Sequence, residues 1–221
     1  MVSSARKAFD QNCEDIERLL EIHKDLGGSG PGRRRRLEVL NKSAIVLLTA
    51  LWEGYCEDIA AEGVAHFVNY ARNHKKLPLD LQKRLAKELK AEPDELSVWK
   101  VADDGWRACL TARLATWQED RNRRLNTPKS ANIDEMFKIT LGIPRISSFW
   151  YWSAMSAEQA RGKLDRYVEL RGAIAHRGGD SRSINKTAVT DYYNHIRRLV
   201  SKTGGRVNSV ARTGTGTPLW R

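Results

Sequence analysis

SAEQARGKLDRYVELRGAIAHRGGD, from Ser156 to Asp180, reads as one amphipathic helix with a glycine stop. Ser156 and Gln159 have the spacing of a capping box. Gly178 and Gly179 stand where a helix C-cap is expected. Ala160, Leu164, Tyr167, Ile174 and Ala175 recur at helical spacing, which marks a buried face. Arg171 falls on that same stripe, and His176 follows in the last turn. An arginine keeps its charge, so a packed face tolerates it only with a partner or a wet cleft. Histidine is the one side chain that titrates near neutral pH when unperturbed. The six residues RGAIAH therefore carry the chain's clearest chemical capacity. The plainer reading is that a cation in the last turn simply favours the helix dipole.

With 221 residues, 41% of them apolar, the chain has the material for one domain with a core. Alternating runs are few and the glycines and prolines fall mostly between periodic segments, so an all-α protein is expected. There is no apolar run long enough to span a bilayer, and MVSSARKAFDQN lacks the pattern of a signal peptide, so a cytoplasmic protein without membrane contact is expected. Cys13, Cys56 and Cys109 are isolated within helical patterns and form no metal or CxxC spacing. The net charge is +11, and its placement is uneven. Between Arg161 and Arg221 there are 13 Lys and Arg against 4 Asp and Glu, so most of the excess surrounds RGAIAH. Such a surface suits a polyanion, nucleic acid being the commonest, or is a solvated basic tail.

From residue 3 to 26, Phe9, Cys13, Ile16, Leu20 and His23 alternate four and three apart, a narrow seam that packs against a helix of this chain or of a second one. GGSGPG at 27–32 breaks the chain, and Arg33 to Arg36 follow, positioned to grip phosphates or to be solvated. A helix is then expected from Leu37 to about Asn73. Its middle, LNKSAIVLLTALWEGYCEDIA (Leu40–Ala60), is apolar nearly all round, the mark of a central helix. Glu53 follows Trp52 within that apolar section and needs a partner, most naturally an arginine from another helix.

A short surface helix is expected from Leu77 to Lys90, then one from Asp94 to about Arg123 with Trp99, Trp106 and Trp117 as core residues. Asn132 and Glu135 are placed to cap a helix that stops at Gly142, and Ser183 to cap a last one from about Ile184 to Lys202. Residues 203–221 show no helical period and read as a Gly/Thr-rich tail after a single domain of residues 1–202. No phosphate-binding glycine loop, zinc spacing or nucleophile elbow is found, so neither metal nor cofactor is expected.

The central LNKSAIVLLTALWEGYCEDIA, combined with NIDEMFKITLGI and ARGKLDRYVELRGAIAHRGG downstream, resembles the HEPN superfamily, and within it the RiboL-PSP branch. The resemblance implies an all-α helical bundle, with residues 75–125 as a helical insertion. The family's signature is an arginine, four to six residues and a histidine at the end of a late helix; Arg171 and His176 match it with four between. Glu53 is similar to the family's acidic position. What this implies is RNA cleavage without metal, catalysed by Arg171 and His176 and supported by Glu53. Arg177 and Arg182 would hold the backbone, two copies would meet in a homodimer, and the role would be that of a toxin or antiphage effector with a protein antitoxin as possible partner. The family usually has a polar residue after the arginine, often asparagine, where this chain has Gly172. A non-catalytic module that binds RNA or a protein partner is the alternative that Gly172 suits.

Overall fold

Between Glu38 and Tyr70 the chain has no proline, and those 33 residues form one unbroken helix around which the others are laid. The computed structural model describes residues 2–27, 37–125, 127–177 and 184–221. The helices are α1 (Ser4–Gly27), α2 (Glu38–Tyr70), α3 (Leu79–Lys90), α4 (Gly105–Thr111), α5 (Leu114–Arg124), α6 (Ser130–Leu141), α7 (Ala157–Arg177) and α8 (Lys186–Thr215), with single 3-10 segments at His74–Lys76, Glu95–Val101 and Ile146–Phe149. The protein is all-α: among the described residues the only β pairing is one bridge between Trp152 and Met155. Helix α2 is covered by α1, α4, α5, α6, α7 and α8, which is why its sequence is apolar on nearly every side. Among the described residues no helix is long and apolar enough to cross a membrane.

The seam of α1 is satisfied inside the protomer. Phe9, Cys13 and Ile16 are at most 3% exposed, and Leu20 is half-buried. The Phe9 ring meets Tyr55 of α2 edge-on at 5.7 Å, and the Tyr193 hydroxyl of α8 donates to Glu17 at 2.7 Å. Of the two partners open to this seam, a helix of the same chain takes it, so its apolar face is not left for a second copy. Burial pushes the Cys13 thiol up to about 11, which keeps it neutral and unreactive.

Three further expectations change. The helix read from Asp94 to Arg123 is broken into a 3-10 segment, α4 and α5. Asp94 accepts from the Leu96 N–H, Asp103 adopts φ 51°, and Gly105 lies so close to the Lys100 carbonyl that a Cβ would fall 2.2 Å from it. The chain doubles back there, and Trp99 is left 72% exposed while Trp106 and Trp117 are buried. Helix α6 begins at Ser130, not at an Asn132 cap, because Asp165 of α7 accepts from both the N–H and the hydroxyl of Ser130, at 2.7 and 2.8 Å. It does stop at Gly142, in the left-handed region at φ 65°.

The largest change is at the C-terminal end. The segment from residue 203, read as an aperiodic tail, continues α8 to Thr215 with Thr203, Val207, Ala211 and Thr215 buried. Its inward stripe is built of small and hydroxylated residues, which carry no apolar period. Gly204 allows the Tyr55 hydroxyl to approach, where a Cβ would stand 2.6 Å from it. Asn185, rather than Ser183, caps α8 by accepting from the Ala188 N–H; Ser183 lies outside the described residues.

Candidate active site on helix α7

The capping box forms as read: the Ser156 N–H donates to Gln159 Oε1 at 2.8 Å, and the Gln159 N–H to Ser156 Oγ at 3.2 Å. From there α7 is fastened on two sides. Toward α8, His195 Nε2 donates to the Ala160 carbonyl at 3.1 Å, Lys163 pairs with Asp191 at 2.6 Å, and Tyr167 donates to the Ala188 carbonyl at 2.9 Å. The Tyr167 ring also stacks on Tyr192, with centroids 4.0 Å apart. Burial pushes the His195 imidazole down to about 4, so it stays neutral in this role. Toward α6, Asp165 caps Ser130, and Glu169 pairs with Lys129 at 2.7 Å. None of these anchors is visible as a local motif, because each joins residues more than twenty positions apart.

Beyond Glu169 the described side chains of α7 make no hydrogen bond. Arg171 is half-buried there, and its Nε–H is buried without a hydrogen-bond partner. Across the α2–α7 contact is Glu53, also half-buried. Burial holds the Glu53 carboxyl above the usual range, and the charge of Arg171 pulls it back only in part. The arginine expected opposite the acid of α2 is thus felt through its charge but makes no ion pair with it. The two are coupled through space with no ion pair within 4 Å, and the buried Nε–H of the guanidinium has no acceptor. Beside each of them a glycine, Gly54 and Gly172, meets no atom within 4 Å of where a Cβ would be.

His176 and Arg177 lie in the last turn of α7, and their side chains are outside the described part of the structure. Arg182, Gly178 and Gly179 lie outside the described residues altogether. The chain resumes at Ile184, whose carbonyl accepts from Asn41 of α2 at 2.8 Å. Asn41 was not legible as a site residue, since its role depends on a partner 143 residues away. Among the described residues no group of three His, Cys, Asp or Glu is placed to hold a metal ion. A cleft of about 580 Å³ between α2, α3, α5 and α6 includes neither Glu53 nor Arg171.

The energetics of Glu53 give a direct test. Its folded-state carboxyl holds its proton more tightly than an unfolded one, so ionising it opposes folding. That cost is absent at pH values below the ordinary carboxylate range and grows as pH rises through it. Glu53→Gln is expected to raise the melting temperature by a few degrees at pH 8 and to lose the advantage near pH 3. Equal or lower melting of the variant at pH 8 would mean that attraction to Arg171 outweighs burial.

A family model described as RiboL-PSP-HEPN matches residues 11–208. No curated protein and no solved structure matches the chain. The matched span runs from the first turns of α1 well into α8, so it takes in both the central helix and all of α7. On that match the chain belongs to the RiboL-PSP-HEPN family of the HEPN superfamily, whose kind of function is RNA-directed, nuclease or RNA-binding.

Proposed function

We propose that the protein is a metal-independent endoribonuclease. The observation that carries this reading is Arg171: a permanent cation on the α2–α7 contact whose buried Nε–H has no acceptor. A buried donor left unpaired costs about 1–3 kcal/mol, and a phosphate oxygen would relieve it. His176 stands five residues on in the same helix.

The chemistry that suits these groups is attack within the RNA strand. A neutral His176 takes the proton of a 2′-hydroxyl; O2′ bonds to the adjacent phosphorus while the bond from phosphorus to O5′ breaks. The departing O5′ takes a proton from the protonated His176 of a second copy. The products are a 2′,3′-cyclic phosphate and a 5′-hydroxyl end. Arg171 holds the non-bridging oxygens as charge builds on them, Glu53 supports it through the field of its carboxyl across the α2–α7 contact, and Arg177 and Arg182 hold the flanking backbone. One arginine and one histidine are few for all of these tasks, which supports a homodimer that brings two Arg171–His176 pairs together. With the α1 seam internal, its interface lies elsewhere. The family resemblance supports a cytoplasmic toxin or antiphage effector, with a protein antitoxin as possible partner.

The test is incubation of the purified chain with tRNA and mRNA in EDTA. Cyclic-phosphate and 5′-hydroxyl ends are expected. Products with 5′-phosphate ends, or activity that requires magnesium, would overturn the reading. A second reading, a non-catalytic module that binds RNA or a protein, is favoured by Gly172, which leaves the position after Arg171 without a polar side chain. RNA bound in EDTA with salt-sensitive affinity and left intact would establish it.

A further inference from the structure

We infer that the face formed by Phe149, Tyr151, Lys202 and Arg206 is a binding platform for single-stranded RNA, separate from the Arg171 site. The inference rests on the RNA-directed reading above for the identity of the strand. Its geometry begins with Trp150, which is fully buried, donates through Nε1 to Thr203 Oγ1 at 2.9 Å and meets Trp52 edge-on at 5.6 Å. That anchor fixes the two flanking aromatic residues over the outer face of α8. The guanidinium of Arg206 lies 4.1 Å from the Phe149 ring centroid, and the Lys202 ammonium 5.2 Å from that of Tyr151. Lys202 and Arg206 are four apart, one turn of α8, so the two cation–ring pairs stand side by side.

Among the described residues neither cation has a carboxylate within ion-pair distance. The Arg206 Nε–H is buried with no acceptor, the same unmet need seen at Arg171. Arg206 also lines a cleft of about 560 Å³ whose wall includes Lys76, Asp80 and Lys138, the last paired with Glu135 at 3.0 Å. Tyr151 is 56% exposed, a large fraction for an aromatic ring. A strand with phosphates along its backbone and bases free to stack satisfies both features at once: phosphates take the cations, and a base takes the open face of Tyr151. Because Trp150 holds the segment in place, little ordering is required on binding. Trp150 touches Trp52, the neighbour of Glu53, so the platform lies one aromatic contact away from the α2 segment that carries the candidate site.

The experiment uses the full chain with His176→Ala, which keeps RNA intact, and a fluorescein-labelled single-stranded RNA followed by anisotropy over a salt series. Adding Lys202→Gln and Arg206→Gln together should weaken binding about tenfold and flatten the log–log salt slope by about 1.4, since a single strand contributes about 0.7 for each phosphate neutralised. Tyr151→Ala should weaken single-strand binding by about fivefold or more and leave binding of the matching duplex unchanged, while Tyr151→Phe keeps the parent's affinity. Being exposed, Tyr151 can be altered without disturbing the core, so this arm remains decisive if the double variant melts early. Unchanged affinity in the Tyr151→Ala protein, or equal loss for strand and duplex, overturns the platform. Wild-type protein that binds in this pattern without cleaving RNA would overturn the nuclease reading and leave the platform standing. Wild-type protein that cleaves while every variant binds like its parent would do the reverse.

Discussion

Arg171→Ala and His176→Ala are each expected to slow RNA cleavage by about 100-fold or more, the usual contribution of a positioned base or of a preorganised charge. For Arg171 the fold should survive the change. Its buried Nε–H has no acceptor, so truncation strands no partner of that group. Glu53 feels the loss: its carboxyl is already held above its usual range by burial and will move further up without the opposing cation. Arg171→Lys keeps the charge but loses the planar fork, and should recover only a small part of the rate. For His176, the rate should follow a bell-shaped pH profile, rising as the imidazole that acts as base loses its proton and falling as the imidazole of the second copy, the acid, loses its own. Single-turnover cleavage of a labelled RNA in EDTA, with circular dichroism melts run in parallel, measures both. A folded variant of either residue that cleaves at the wild-type rate would remove that residue from the mechanism.

What the sequence made legible follows from the kind of interaction behind each feature. Short-range rules read well: the Ser156–Gln159 capping box forms, Gly142 ends its helix with φ 65°, and α2 is covered where its sequence is apolar all round. The need of Glu53 for an arginine was also readable, because a charge in an apolar run is costly whatever the fold. The features that escaped are those decided at long range. The start of α6 is set by Asp165, 35 residues away, so the local Asn132 signal loses. The second half of α8 is buried through Thr203, Gly204 and Ala211, residue types that leave no apolar period. The break at Asp103 and Gly105 depends on a chain reversal that the Trp99, Trp106 and Trp117 spacing conceals.

Ile16→Asp is expected to abolish the folded state at 37 °C rather than to split a dimer. The side chain of Ile16 is fully buried, within the face of α1 that packs on α2 and α8. Removing its hydrocarbon from the core costs about 2–5 kcal/mol by analogy with other large-to-small changes. The new carboxylate must either stay ionised without a partner or take up a proton against solution pH, a further cost of several kcal/mol. Together these approach the whole stability of a domain, about 5–15 kcal/mol. Leu20→Asp, at a half-buried position on the same helix, should be milder because the charge can reach water. The pair of variants separates two uses of α1. If the seam is internal, Ile16→Asp yields unfolded or insoluble protein, and Leu20→Asp gives a folded chain with the wild-type mass by light scattering and a lowered melting temperature. If instead Ile16→Asp remained folded and halved the mass in solution, α1 would be an intermolecular contact and its packing against Tyr55 and Tyr193 would need another explanation.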